Sequence, residues 1–146
     1  MKSEFSPASA RWMLVDDDDN LRGTVAKLLG AIAGVEVVSF SSGAAALGEF
    51  MAAPDTFDFI VSDLDMPGMS GIEFCRRIKS VQPRLKVLLA TGSGVITPAE
   101  ARGYGFCGLI AKPFSLAALR ATLADAALPE NHQPDQAGIV PVGLTA

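Results

Sequence analysis

Short apolar runs alternate with helical stretches along this chain, and the alternation restricts the fold more than any single motif does. The runs are WMLV (12–15), VEVVSF (35–40), FDFIVS (57–62), KVLLAT (86–91) and GLIA (108–111). Each has the length and the β-branched or aromatic content of a strand. Between the first two, Leu21, Val25, Leu28, Leu29 and Ile32 recur at helical spacing, and Ile72, Phe74, Cys75, Ile78 and Val81 do so within GIEFCRRIKSV. SSGAAALGEFMAA and SLAALRATLADAAL read as two further amphipathic helices, the second capped by Ser115. Such a pattern predicts βαβ units, and so a parallel sheet covered by helices on both faces.

The fourth crossover is poorer. GSGVITPAEARGYGFCG carries five glycines and one proline, which leaves room for only a short helix near 98–103 with Pro98 in its first turn. Residues 1–10 are small and polar, and the stretch from 129 to 146 mixes three prolines with no amphipathic period. Both ends are expected to be tails, the second one a tail or the remnant of a linker, around a single domain at 11–128. His132 falls in the second tail, without a helical pattern to place it.

Composition excludes some functions. With 146 residues, 49% of them hydrophobic, the chain can bury one core. A net charge of −4 argues against a nucleic-acid or anionic-membrane surface, both of which need clustered lysine and arginine. No run reaches the roughly 18 to 20 apolar residues of a membrane span, and MKSEFSPASA lacks the apolar segment of a signal peptide. The two cysteines, Cys75 and Cys107, stand far apart in apolar surroundings and make neither a disulfide framework nor a metal-ligand spacing. A cytoplasmic protein with buried thiols is expected.

The chemistry collects at strand ends. In a parallel sheet the C-terminal ends of the strands share one edge, and ligands bind there where the strand order reverses. Asp16 and Asp17 follow the first run, Asp63 the third and Lys112 the fifth, while Thr91 closes the fourth. In a sheet of order 2-1-3-4-5 the first and third strands are neighbours, which brings Asp16, Asp17 and Asp63 together. Carboxylates gathered in this way repel one another unless a cation neutralises them, and oxygen donors suit Mg²⁺. A carboxylate can also attack phosphorus, and the charge that develops on the phosphoryl oxygens is then met by a metal, an ammonium and a hydroxyl. Asp63, Mg²⁺, Lys112 and Thr91 make up that set. Asp18, Asp19 and Asn20 are left to solvate and cap the helix that follows. Trp12 reads as core, on the strand that leads to Asp16 and Asp17.

At these residues the chain resembles the receiver domain of two-component response regulators. The resemblance rests on LVDDDD (Asp16, Asp17), SDLDMPGMSG (Asp63, Met66, Pro67, Gly71), LLATG (Thr91) and AKPF (Lys112, Pro113), each after an expected strand. It implies an α/β, flavodoxin-like doubly wound (βα)5 fold of order 2-1-3-4-5. It also implies a phosphoacceptor at Asp63, with Mg²⁺ held by Asp16, Asp17, Asp63 and the backbone carbonyl of Asp65. Lys112 would contact the phosphoryl oxygens, Thr91 would move toward them, and a cis Lys112–Pro113 bond would set the direction of the lysine. Asp65 and Ser93 lie where such domains tune phosphate lifetime. The expected donor is a histidine kinase or histidine phosphotransfer protein, and the expected output passes through contact with a downstream protein target. Such a chain is not an enzyme beyond its own phosphorylation and dephosphorylation; homodimerisation is left open.

Two departures stand out. The family usually has Tyr or Phe three residues before the lysine, where this chain has Leu109, and the segment from Thr91 to Lys112 is short and glycine-rich. A receiver used only as a scaffold would fit those departures. An aspartyl phosphatase of the haloacid-dehalogenase type shares the Asp-x-Asp of residues 63–65, but places it near its N-terminus in a longer chain. Sequence does not separate a stand-alone domain from one cut out of a longer regulator or hybrid kinase.

Overall fold

The computed structural model describes residues 11–92 and 94–127. The expected tails, His132 and Ser93 lie outside the described residues. In order, the elements are β1 (Arg11–Val15), α1 (Asp19–Ala33), β2 (Glu36–Phe40), α2 (Gly43–Ala52), a 3₁₀ turn (Pro54–Thr56), β3 (Phe57–Asp63), α3 (Gly71–Val81), β4 (Lys86–Gly92), α4 (Pro98–Gly103), β5 (Gly108–Lys112) and α5 (Leu116–Ala127). The strands form one parallel sheet of order β2-β1-β3-β4-β5.

Strand alternation sends successive side chains to opposite faces and so builds two apolar layers. Met13 and Val15 of β1 join Phe50 of α2, Phe74 and Ile78 of α3, and Ala101 of α4 on one face. Trp12 and Leu14 join Leu29 of α1 and Leu119 and Leu123 of α5 on the other. Trp12 is buried there against Phe59, with ring centroids 4.6 Å apart, so the expected core role is the observed one. Of the two thiols expected to be buried, Cys75 is; Cys107 is only partly covered, because it sits at the entry to the edge strand β5.

β3, β4 and β5 overrun their apolar runs by one residue. Asp63, Gly92 and Lys112 are still in the ladder, with Asp63 paired to Ala90 and Gly92 to Lys112. Backbone pairing does not stop where hydrophobicity does, so the polar residues of the edge are held by the sheet itself. α4 spans 98–103 as expected: Thr97 and Glu100 form a reciprocal capping box, Pro98 opens the first turn, and Gly105 follows at φ +104°.

Candidate functional site

The acid edge begins where β1 runs out. Asp16 is 3% exposed, and each of its polar groups is engaged. Its N–H donates to Phe40 O at 3.1 Å, and its Oδ1 accepts the Asp18 N–H at 2.9 Å. Oδ2 accepts Lys112 Nζ at 3.2 Å, and the backbone carbonyl accepts Arg22 Nη1 at 3.0 Å. Asp17, next along, is exposed. Asp18 caps α1 by accepting the Asn20 and Leu21 N–H groups at 3.0 and 3.3 Å, and Asp19 pairs with Arg22. The aspartate run therefore divides as expected, the first two residues toward the edge and the next two into the helix start.

Asp63 ends β3. Its Oδ1 accepts the Leu64 N–H at 2.9 Å, and its Oδ2 lies 3.5 Å from Lys112 Nζ. The chain then turns through Asp65 and Pro67, passes Gly68 at φ +84°, and re-enters the fold at Gly71. The Gly71 N–H donates to Leu64 O at 2.7 Å. A Cβ at Gly71 would stand 2.1 Å from Asp63 O, so only glycine lets α3 start this close to the strand end.

One carboxylate oxygen from each of Asp16, Asp17 and Asp63 lies within 4.8 Å of the others. Lys112 supplies one ammonium against these carboxylates, and the Lys112–Pro113 bond is cis. Burial pushes the Asp63 carboxyl above its ordinary 3.8; Lys112 pulls the other way, and the Asp16 charge adds to the rise. Burial opposes the charge on Lys112, but its hydrogen bond to Asp16 and the fields of Asp63 and Asp16 outweigh that and raise it above 10.5. Clustered hard oxygen donors in excess of positive charge fit a divalent cation such as Mg²⁺.

Thr91 is 2% exposed on β4, paired with Ala111 of β5 and next in sequence to Ala90, the partner of Asp63. Asp65 is exposed in the turn after β3. Leu109, which stands where the family usually has an aromatic, is partly buried against the apolar layer that includes Ala101 of α4. Arg22 carries little signal in the sequence. Its one signal was the i,i+3 spacing to Asp19, which marks any helix surface pair.

A doubly wound parallel sheet with an acid pocket at the β1/β3 switch point defines the class. The family model for the response regulator receiver domain matches residues 13–124, and the chain belongs to that family. CpdR, a response regulator receiver protein of Brucella abortus, is 32% identical over 113 residues, which cover 73% of this chain and 87% of that one. The C4-dicarboxylate transport transcriptional regulatory protein DctD of Rhizobium meliloti is 40% identical over 103 residues, 70% of this chain and 22% of DctD. The chain thus spans about a fifth of that relative. The structure of chemotaxis protein CheY4 of Vibrio cholerae superposes with a TM-score of 0.70 at 31% identity, covering 80% of this chain and 98% of that one. The chain is a receiver domain of two-component signalling, a family phosphorylated on aspartate with Mg²⁺. Among the described residues, no helix is long and apolar enough to cross a membrane.

Proposed function

We propose that Asp63 is the phosphoacceptor, with Lys112 and Thr91 as its partners in the reaction and with Asp16, Asp17, Asp63 and the Asp65 backbone carbonyl as the Mg²⁺ ligands. The observation that carries this reading is the convergence of Asp63 Oδ2 and Asp16 Oδ2 on Lys112 Nζ, beside Asp17. Asp63 brings a carboxylate oxygen to phosphorus; the new O–P bond forms as the bond from phosphorus to the donor nitrogen breaks and the donor histidine keeps the electron pair. Mg²⁺ supplies, when bound, the positive charge that lets the carboxylates approach an anionic phosphoryl group. The Lys112 ammonium meets the charge on the phosphoryl oxygens, and the Thr91 hydroxyl donates to one of them. The donor is a histidine kinase or histidine phosphotransfer protein, and the output is contact with a downstream protein in the cytoplasm. Beyond its own phosphorylation and dephosphorylation the domain has no catalytic task.

Intact mass after incubation with acetyl phosphate and Mg²⁺ tests the assignment. One added phosphoryl group is expected, absent with EDTA and absent in Asp63→Asn. Labelling of the Asn variant to the wild-type extent would move the acceptor elsewhere.

A further inference from the structure

Arg22 places a cation beside a site that has to hold another cation. On charge alone this weakens the binding of Mg²⁺, so the arginine calls for a geometric explanation. Its Nη1 donates to Asp16 O at 3.0 Å and to Asp19 Oδ1 at 2.7 Å. The Arg22 side chain is 22% exposed while Asp19 is 79% exposed, so the guanidinium is drawn inward to the carbonyl and is not simply paired across the helix surface. That carbonyl belongs to the peptide joining Asp16 to Asp17. Asp16 is fixed independently through its N–H and both carboxylate oxygens. Asp17 is exposed, and the direction in which it leaves the backbone follows from the tilt of that same peptide.

We propose that Arg22 is a positioning residue of the acid pocket: its guanidinium clamps the Asp16–Asp17 peptide and thereby aims the Asp17 carboxylate at Mg²⁺. The proposal rests on the assignment of Asp16 and Asp17 to the metal given above. A planar guanidinium suits the task because the two N–H groups of Nη1 leave it at a fixed angle and reach both acceptors at once, a geometry that a freely rotating ammonium does not reproduce. Partners that orient a metal ligand from behind commonly change metal affinity by about 10- to 100-fold when removed.

The sign of one substitution separates positioning from charge. Removing the arginine makes the pocket more acidic, so a purely electrostatic role predicts tighter Mg²⁺ binding in Arg22→Ala. Positioning predicts weaker binding. Calorimetric titration of the EDTA-stripped chain with MgCl₂ at fixed ionic strength reads this directly. The expected result is a Kd raised about tenfold in Arg22→Ala, the lower end of the range for such partners, with at most part of the loss recovered in Arg22→Lys, whose ammonium lacks the planar geometry. The Mg²⁺ concentration for half-maximal acetyl phosphate labelling should rise by the same factor. Should Arg22→Ala not fold, Arg22→Gln carries the same test of sign, since it removes the charge and keeps most of the stem. Binding as tight as wild type or tighter in the neutral variant overturns the role of Arg22. Absence of Mg²⁺ binding by the wild-type chain overturns instead the metal assignment on which it rests.

Discussion

Lys112 Nζ stands 3.2 Å from Asp16 Oδ2, a contact between residues 96 positions apart that ties the end of β5 to the end of β1. β3 and β4 separate β5 from β1 in the sheet, so the contact is made by the length of the lysine side chain reaching across the strand ends. Lys112 also lies 3.5 Å from Asp63 Oδ2, so one ammonium serves two carboxylates that would otherwise face each other. In the metal-free chain it is the cation of the pocket, and a divalent ion would share that work.

Removing the ammonium should therefore hurt most when no metal is present. Lys112→Ala is expected to lose about 1–3 kcal/mol in EDTA, the cost of leaving a buried acceptor without its charged partner. Much of the loss should return with Mg²⁺. Urea unfolding followed by Trp12 fluorescence, with EDTA and with MgCl₂, measures both numbers. An equal loss in the two conditions would mean that the lysine stem, not its charge, matters.

Asp63→Asn should show the opposite sign. Burial raises the folded-state pKa of Asp63 above 3.8, so the folded chain keeps this proton to higher pH than the unfolded one. The contribution of the group to stability is full below 3.8 and is lost as pH rises through the folded value. Asparagine has nothing to lose over that interval. In EDTA the variant is expected to be the more stable protein above this window, with the advantage shrinking as pH falls to 3.8 and below. Urea midpoints at a series of pH values test it, and parallel curves across the window would show that neither burial nor Asp16 raises Asp63 on folding.

Much of this site is legible in the sequence because a parallel sheet turns strand ends into neighbours. Once five strands are recognised, Asp16, Asp63, Thr91 and Lys112 fall on one edge without any knowledge of contacts. α4 was legible for a local reason, Pro98 in a first turn with glycines on both sides, and its Thr97 cap emerged only with the structure. Other features are set by distances that no pattern carries. β3, β4 and β5 end one residue later than their apolar runs because ladder bonds ignore side-chain polarity. Arg22 resembled an ordinary partner of Asp19 because its bond to Asp16 O exists only after the loop has turned. Gly71 was visible as part of SDLDMPGMSG, but its reason, a backbone oxygen 2.1 Å from the missing Cβ, was not.

That distance makes Gly71 the least replaceable glycine near the site. Its added Cβ would meet Asp63 O and Leu64 Cα at 2.1 and 3.0 Å, and neither atom can rotate away. Gly71→Ala should push α3 off the strand end and cost about 1–3 kcal/mol, the range for overpacking. The displaced Asp63 should also bind Mg²⁺ more weakly. Gly48 in α2 is the control, since a Cβ there meets nothing within 4 Å. Gly48→Ala is expected to stabilise by about 0.5–1 kcal/mol, the helical preference of alanine over glycine. Thermal unfolding of the two variants should move in opposite directions, and similar shifts would show that α3 yields easily.

Cys75 offers a reading of how tightly α3 is held. Its thiol is fully buried, with Sγ 4.0 Å from Tyr104 O, and burial pushes it up to about 11. The nucleophile toward a disulfide reagent is the thiolate, so at pH 8 this residue is both covered and protonated. Only the partly covered Cys107 should react in the native chain, with Cys75 following at the rate at which α3 opens. The sign of the pH effect agrees: the folded state keeps the Cys75 proton to higher pH than the unfolded state, so stability falls as pH rises from 9 toward 11. Dithionitrobenzoate titration at pH 8, without and with denaturant, should count one fast thiol and then two. Two fast thiols under native conditions would mean that the α3 and α4 layer opens readily, and that Gly71 anchors a looser helix than its contacts indicate.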